Sequence, residues 1–163
     1  MNAREARSPL DLGFDLLAEA PAPPGLDEGR LEPLARFVLA AEGAAGSWSV
    51  TLALVDDERL RTLHREFMAV DEPTDVMTFP LDAEPGMSAG DIAISVERAT
   101  EQGPTFGHSA AAEIEFLLVH GLLHLCGWDD ADPNDRTRML ERQTELLAAF
   151  KADGAGTGGA IRG

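Results

Sequence analysis

The chain has 163 residues and a formal net charge of −16, from 29 acidic and 13 basic residues. This length suits one domain with its own core, and the acidic balance argues against a broad basic surface for nucleic acid, where affinity comes from neutralised phosphates. The single cysteine excludes an internal disulfide, and no apolar run approaches the roughly 18 residues of a membrane span. The N-terminus also lacks the apolar stretch of a signal peptide. The sequence therefore predicts a cytoplasmic protein without membrane contact.

The first half of the chain is predicted to alternate strands and helices. In chain order the elements are a strand at 10–17, a helix from Asp27 to Gly43, a strand at 49–55 and a helix begun by Asp56 and Asp57. The helices are predicted from apolar residues at helical spacing between capping and stop residues. The segment 49–55 is apolar or small on both faces, which is typical of a buried strand.

The second half is predicted to contain two strands and then two helices. They are a strand at 75–81, a strand at 90–96, a helix from Ser109 to Gly127 and a helix over 134–150. The helix after Ser109 is apolar nearly all round, which indicates burial at the centre of the domain. Residues 1–9 are expected to be flexible and the glycine-rich segment 151–163 disordered. The elements predict one α+β domain over 10–150, with a small mixed sheet packed with helices.

The segment 120–130, HGLLHLCGWDD, carries the most specific signal for a site. His120 and His124 are four residues apart, so their imidazoles lie on one face of the helix. Gly127 ends the helix and turns the chain, which can return Asp130 to the same point. Two nitrogens and one carboxylate oxygen make a three-ligand zinc set with an open fourth position. A metal role is favoured over two satisfied core histidines, because each buried imidazole would need its own partner.

The metal helix resembles that of metzincin proteases, but the catalytic apparatus of a protease is missing. Zinc proteases carry a glutamate base directly after the first histidine, and this chain has Gly121 there. Peptide hydrolysis by that mechanism is therefore set aside. Other residues are interpreted as structural. Cys126 is predicted in the core, although a ligand role stays open, and Trp128 is predicted to pack under the ligand loop. The remaining roles are loop or cap residues for Asp129, Asp132 and Asp135, partners of these aspartates for Arg136, Arg138 and Arg142, and surface residues for His64 and His108.

Three motifs in the same order make the chain resemble the YbeY family of bacterial metal-dependent endoribonucleases. HGLLHLCGWDD at 120–130 is similar to the family's HGxLHLxGYDH, PTDVMTFP at 73–80 to PTDVLSFP, and GDIAIS at 90–95 to GDI(V/A)IS. LHREF at 63–67 stands for the usual LNxxY/F, and the likeness extends over about 10–150. Two positions depart from the family pattern. Asp130 replaces a third histidine, and Met68 replaces an arginine thought to face the substrate.

The resemblance implies cleavage of single-stranded RNA, maturation of small-subunit ribosomal RNA and a role in ribosome quality control. It implies one Zn²⁺ per chain on His120, His124 and Asp130, and the RNA and the small ribosomal subunit as partners. The PTDV and GDI strands would line the groove, with Thr74, Asp75, Asp91 and Ser95 as substrate-binding residues. Two alternatives stay open: a ribosome-assembly factor with a structural zinc and little or no nuclease activity, and a metal-dependent hydrolase of another substrate. Met68 and the net charge favour the assembly factor slightly, and no general base can be named.

Overall fold

The computed structural model describes residues 9–68 and 74–162, and leaves the side chains of Met68 and 154–162 undescribed. Its strands and α-helices are β1 (Leu10–Ala18), α1 (Leu31–Ala41), β2 (Gly46–Val55), α2 (Asp57–Met68), β3 (Val76–Leu81), β4 (Met87–Ser95), α3 (Val96–Gln102), α4 (Ala110–Leu125) and α5 (Pro133–Arg162). Short 3₁₀ turns at Glu28–Arg30 and Pro104–Phe106 precede α1 and α4. Within the described ranges, no helix has the length and apolar character needed to cross a membrane.

The four strands form one mixed sheet in the order β1-β2-β4-β3. β1 pairs with β2 and β2 with β4 in parallel, whereas β3 runs antiparallel to β4 at the edge of the sheet. Helices α1, α4 and α5 share the main core with one face of the sheet, and α2 covers a smaller cluster on the other face. The predicted α+β domain with a small mixed sheet is confirmed.

Two glycines set how closely α4 approaches β4. A Cβ on Gly121 would come within 2.8 Å of the Ile92 side chain, and a Cβ on Gly90 within 2.4 Å of Leu125. Helix and strand can therefore touch at this distance only because both positions lack a side chain. Ile92 is fully buried in this contact. The close approach fixes the position of the helical turn that carries the two histidines relative to the sheet.

Two parts of the chain differ from the predicted elements. Residues 96–102 form α3, where the sequence predicts a strand that ends at residue 96 and no element directly after it. Ser95 begins this helix by accepting a hydrogen bond from the backbone N–H of Arg98 at 3.1 Å, but seven residues are too few to give a clear helical period. Helix α5 continues to Arg162, through the segment predicted to be disordered, although each interior glycine costs a helix about 1 kcal/mol. That disorder stays a prediction, and residues 1–8 of the predicted flexible N-terminus lie outside the described residues.

Candidate metal centre

Three side chains meet at the C-terminal end of α4. Nε2 of His120 lies 3.1 Å from Nε2 of His124, and Oδ2 of Asp130 lies 3.3 Å from the first and 3.5 Å from the second. Tetrahedral zinc with bonds of about 2.0–2.1 Å places its ligand atoms about 3.3 Å apart. The triangle therefore has the size of one face of such a site. The structure brings together all three residues that the sequence predicts as ligands.

The hydrogen bonds of the two imidazoles assign the proton of each ring to Nδ1. Nδ1 of His124 lies 3.0 Å from the backbone oxygen of Trp128, which can only accept. Nδ1 of His120 lies 2.8 Å from Oε1 of Gln143, and the Nε2 group of that amide donates to the carbonyl of Phe116 at 3.2 Å. In the neutral form of each ring, Nε2 therefore presents a lone pair. Two lone pairs and a carboxylate facing one another repel unless a cation lies between them, so this donor set fits a metal ion.

The turn after α4 brings Asp130 back to the helix. Gly127 has a φ of +101°, in the left-handed region where a residue without a Cβ is favoured. The backbone N–H of Trp128 then donates to the carbonyl of Leu123 at 3.0 Å. The predicted stop at Gly127 is confirmed, and the turn explains how a side chain six residues beyond His124 reaches the same point.

Aspartates beside the ligand stabilise the ligand loop and the start of α5, as the sequence predicts. The carboxylate of Asp129 accepts from the backbone N–H of Ala131 at 3.1 Å. The carboxylate of Asp132 accepts from the backbone N–H of Asp135 at 2.8 Å, and this bond lowers the pKa of Asp132. A charged carboxylate at this place also suits the helix dipole.

Glu42, at the end of α1, braces the ligand turn. Its Oε1 accepts from the indole N–H of Trp128 at 2.6 Å, and its Oε2 accepts from Nε of Arg142 at 2.8 Å. The Glu42 side chain is only 10% exposed, so this bridge is shielded from solvent. The prediction that Arg142 pairs with nearby aspartates is wrong, because its partners are Glu42 and Glu145. Arg142 and Glu42 hold the tryptophan whose carbonyl orients His124.

Cys126 stands apart from the three converging side chains. Burial raises the pKa of its thiol to about 11, so in the metal-free protein the thiol is uncharged at neutral pH. Within the described part of the chain, the group that can hold a metal consists of His120, His124 and Asp130. The structure thus favours the core role predicted for Cys126.

The candidate centre lies between two cavities, which share Asp75, Val76, His120 and Asp130 in their walls. The strand cavity, of about 440 Å³, is lined by all three candidate ligands together with residues of α2, of β3 and of the segment just before β3, namely His64, Thr74, Asp75, Val76, Met77, Thr78 and Pro80. The aromatic cavity, of about 500 Å³, is also lined by residues of α3, α4, α5 and the segment between α3 and α4, among them Gln102, Phe106, His108, Glu113, Phe116, Leu117, Arg136 and Leu140. The two cavities therefore adjoin at the candidate ligands.

Of the four predicted substrate-binding residues, the structure places two in the walls of these cavities. Thr74 and Asp75 line the strand cavity. Asp91 neighbours Ile92, which faces α4, and successive strand residues point to opposite faces, so Asp91 faces away from the metal helix. Ser95 is fully buried and caps α3. The GDI strand packs against the metal helix, and residues 74–76 form part of the wall of the strand cavity.

Several residues of the site are not predicted from the sequence, and His64, His108 and Gln143 are examples. His64 and His108, predicted to have surface roles, line the strand cavity and the aromatic cavity respectively. Gln143 is fully buried on α5 beside Met139 and Leu146. A polar residue within an apolar stripe at helical spacing is the signal that could have found it, because buried polar groups require partners.

Gln143→Met tests whether this amide orients His120. The substitution removes the acceptor for Nδ1 at nearly constant volume, and we expect metal affinity to fall about 10–100-fold, as for other groups that hold metal-bound histidines. Competition with a chromogenic chelator measures the affinity. Met139→Leu, a buried substitution one turn earlier on α5, serves as the matched control. Equal affinity in Gln143→Met and the wild type would contradict the orienting role.

Fold and site together define the class, which is a single-domain α+β protein with a candidate His/His/Asp metal centre at the end of a buried helix. Comparison with known proteins gives the family. The sequence model of the family described as Endoribonuclease YbeY matches residues 26–151 of this chain. The chain therefore belongs to that family. The resemblance predicted from the three motifs is confirmed.

Individual relatives cover most of the chain. The protein named Endoribonuclease YbeY of Thermobifida fusca is 37% identical over 150 residues, which are 86% of this chain and 95% of that protein. The protein of the same name from Moorella thermoacetica is 44% identical over 120 residues, or 67% of this chain and 77% of that protein. The solution structure of TM1509 from Thermotoga maritima aligns with a TM-score of 0.58 at 24% identity, covering 89% of this chain and 93% of that one. This last likeness supports the fold alone.

Proposed function

We propose that the protein is a zinc-dependent endoribonuclease that cleaves single-stranded RNA. The observation that carries the proposal is the convergence of two imidazole Nε2 atoms and a carboxylate oxygen, 3.1–3.5 Å apart, where two cavities meet. Relatives that match most of the chain carry the name Endoribonuclease YbeY. The donor set and the family support the same activity.

His120, His124 and Asp130 would hold one Zn²⁺, which when bound supplies Lewis-acid stabilisation of phosphoryl oxygens and lowers the pKa of water. Two neutral imidazoles and one carboxylate would leave the loaded centre with a net charge of +1. That charge attracts a phosphodiester locally, although the whole chain carries −16. Asp130 makes the loaded centre less positive by one unit than a three-histidine site, which changes metal affinity and the acidity of water.

The proposed substrate is small-subunit ribosomal RNA in the cytoplasm, within its maturation and ribosome quality control. The family resemblance supports these finer statements. A second candidate function is ribosome assembly with a structural metal and little or no nuclease activity, which the net charge of −16 favours because it limits phosphate contacts to a few local groups.

The two functions are separated by a cleavage assay on the full-length protein. The protein is stripped with a chelator, reloaded with Zn²⁺ and incubated with end-labelled single-stranded RNA or the same RNA in a duplex. The endoribonuclease proposal expects internal cleavage of the single strand by the reloaded protein alone. Co-sedimentation with small ribosomal subunits without any cleavage would overturn it in favour of the assembly role.

His64 is proposed to bind the phosphate during cleavage. Its imidazole lines the strand cavity with all three candidate ligands but does not belong to their triangle. An imidazole N–H donating to a charged phosphate contributes about 1.5–3 kcal/mol, so His64→Ala is expected to lower kcat/KM about 10–100-fold. Zinc affinity is expected to stay unchanged, which chelator competition checks. Unchanged cleavage would remove His64 from the mechanism, and a parallel loss of zinc would place it among the groups that support the metal.

A further inference from the structure

The aromatic cavity has apolar walls and an exposed aromatic ring at its opening. Phe116, Leu117 and Leu140 line it, and Phe106 lies on the 3₁₀ turn before α4. Phe106 is 68% exposed and Leu140 43% exposed. Two large apolar side chains that remain exposed around one concave site indicate a ligand with an apolar surface.

A network of hydrogen bonds forms the polar part of the same cavity. Glu113, with 3% of its side chain exposed, lies 2.9 Å from Nδ1 of His108 through Oε1. Its Oε2 accepts from Nε2 of Gln102 at 2.7 Å, and this Nε2 also lies 2.8 Å from Oδ2 of Asp75. These hydrogen bonds hold the side chains of His108 and Gln102 in place. Nε2 of His108 and Oε1 of Gln102 take no part in this network, so they are the groups that can form hydrogen bonds with a ligand.

The charges of the cavity select against a phosphate and for a neutral ring. Glu113 and Asp75 place two carboxylates in its wall beside the candidate metal ligand Asp130, and Arg136 is the one arginine among its described lining residues. A phosphate would be repelled by the carboxylates. A nucleobase carries no charge, stacks on aromatic rings and presents hydrogen-bonding groups along its edge.

We propose that the aromatic cavity is a binding subsite for one unpaired nucleobase, next to the phosphodiester at the metal centre. The inference rests on the proposed endoribonuclease function and extends it to the selection of the substrate. His120 and Asp130 line both the cavity and the metal centre, so a base in the cavity and a phosphate at the metal belong to neighbouring positions of one strand. A base enters such a cavity only when it is unpaired, which gives single-strand selectivity a physical cause.

The test combines a protein variant with an altered RNA. Phe106→Ala removes the stacking surface, and a single abasic nucleotide is moved stepwise along a short single-stranded RNA with one cleaved bond. Aromatic stacking contributes roughly 1–3 kcal/mol per base, so each change alone is expected to lower kcat/KM about 10-fold. At one nucleotide position beside the cleaved bond, the abasic substitution combined with Phe106→Ala is expected to lower kcat/KM no further than either change alone. Phe67→Ala is the matched control, because Phe67 is also exposed, at 64%, and lines neither cavity.

A second measurement keeps the subsite distinct from the nuclease activity. Fluorescence anisotropy with the same RNAs and chelator-treated protein reports binding without cleavage. Suppose that the wild type cleaves RNA, but the effects of Phe106→Ala and of the abasic nucleotide on kcat/KM are additive at every position or absent. The subsite is then overturned and the nuclease function stands. If wild type does not cleave, but binding weakens with Phe106→Ala only when the base is present, the subsite stands and the nuclease proposal fails. The absence of both effects overturns both.

Discussion

His124→Ala is expected to abolish metal-dependent RNA cleavage and the stabilisation of the fold by metal at the same time. The substitution removes one corner of a triangle whose other corners are 3.1 and 3.5 Å away. Two ligands bind zinc far more weakly than three, and the loss should exceed the roughly 10–100-fold that supporting residues contribute. The variant should still fold, because α4 is buried through its aliphatic residues and not through this half-buried imidazole.

Thermal unfolding with and without zinc measures the expected loss. At a free metal concentration about 100 times Kd, binding stabilises the native state by about 2.7 kcal/mol. For a chain of this size that corresponds to a rise in Tm of about 5–10 °C. We expect the rise in wild type and in His64→Ala, and none in His124→Ala. A rise of equal size in His124→Ala would show that the metal binds elsewhere, and the proposed centre would be wrong.

The metal ligands could be predicted because their geometry is local. Two histidines one turn apart lie on the same face of a helix in any tertiary context. Gly127 indicates the turn that brings Asp130 back to them. The orientation of the residues on β4 could not be predicted in this way. Which residues of β4 face the metal helix depends on the contact between Ile92 and Gly121, which no local pattern specifies. Asp91 therefore satisfied the motif and still lies on the opposite face.

Groups that support the ligands come from distant parts of the chain and escaped the sequence analysis. Gln143 lies 23 residues from the histidine it orients, and Glu42 lies 86 residues from the tryptophan it holds. Their roles depend on how α1 and α5 pack around α4, which is a tertiary property. The helix α3 was missed for a related reason, since its seven residues give little periodicity and its first turn depends on the cap at Ser95.

Gly121→Glu is expected to destabilise the protein severely and to give no peptidase activity. Any Cβ at this position would lie 2.8 Å from the side chain of Ile92, and overpacking of this kind costs about 1–3 kcal/mol. Burying a carboxylate beside isoleucine adds a desolvation penalty. The sum is a large fraction of the roughly 5–15 kcal/mol that stabilises a typical domain. Urea unfolding of wild type and variant measures the loss.

Two further variants separate the steric cause from the charge. Gly121→Ala adds the Cβ alone, so the steric cost is partly offset by the roughly 1 kcal/mol by which alanine favours a helix over glycine. Combining it with Ile92→Ala makes room for the Cβ, so the double variant should be more stable than the sum of the two single effects predicts. Strict additivity would contradict a direct contact. The position that carries the base in zinc proteases is packed here against the sheet, and a carboxylate at 121 would meet Ile92 before it reached a substrate. A stable Gly121→Glu protein that hydrolysed peptides would refute this account.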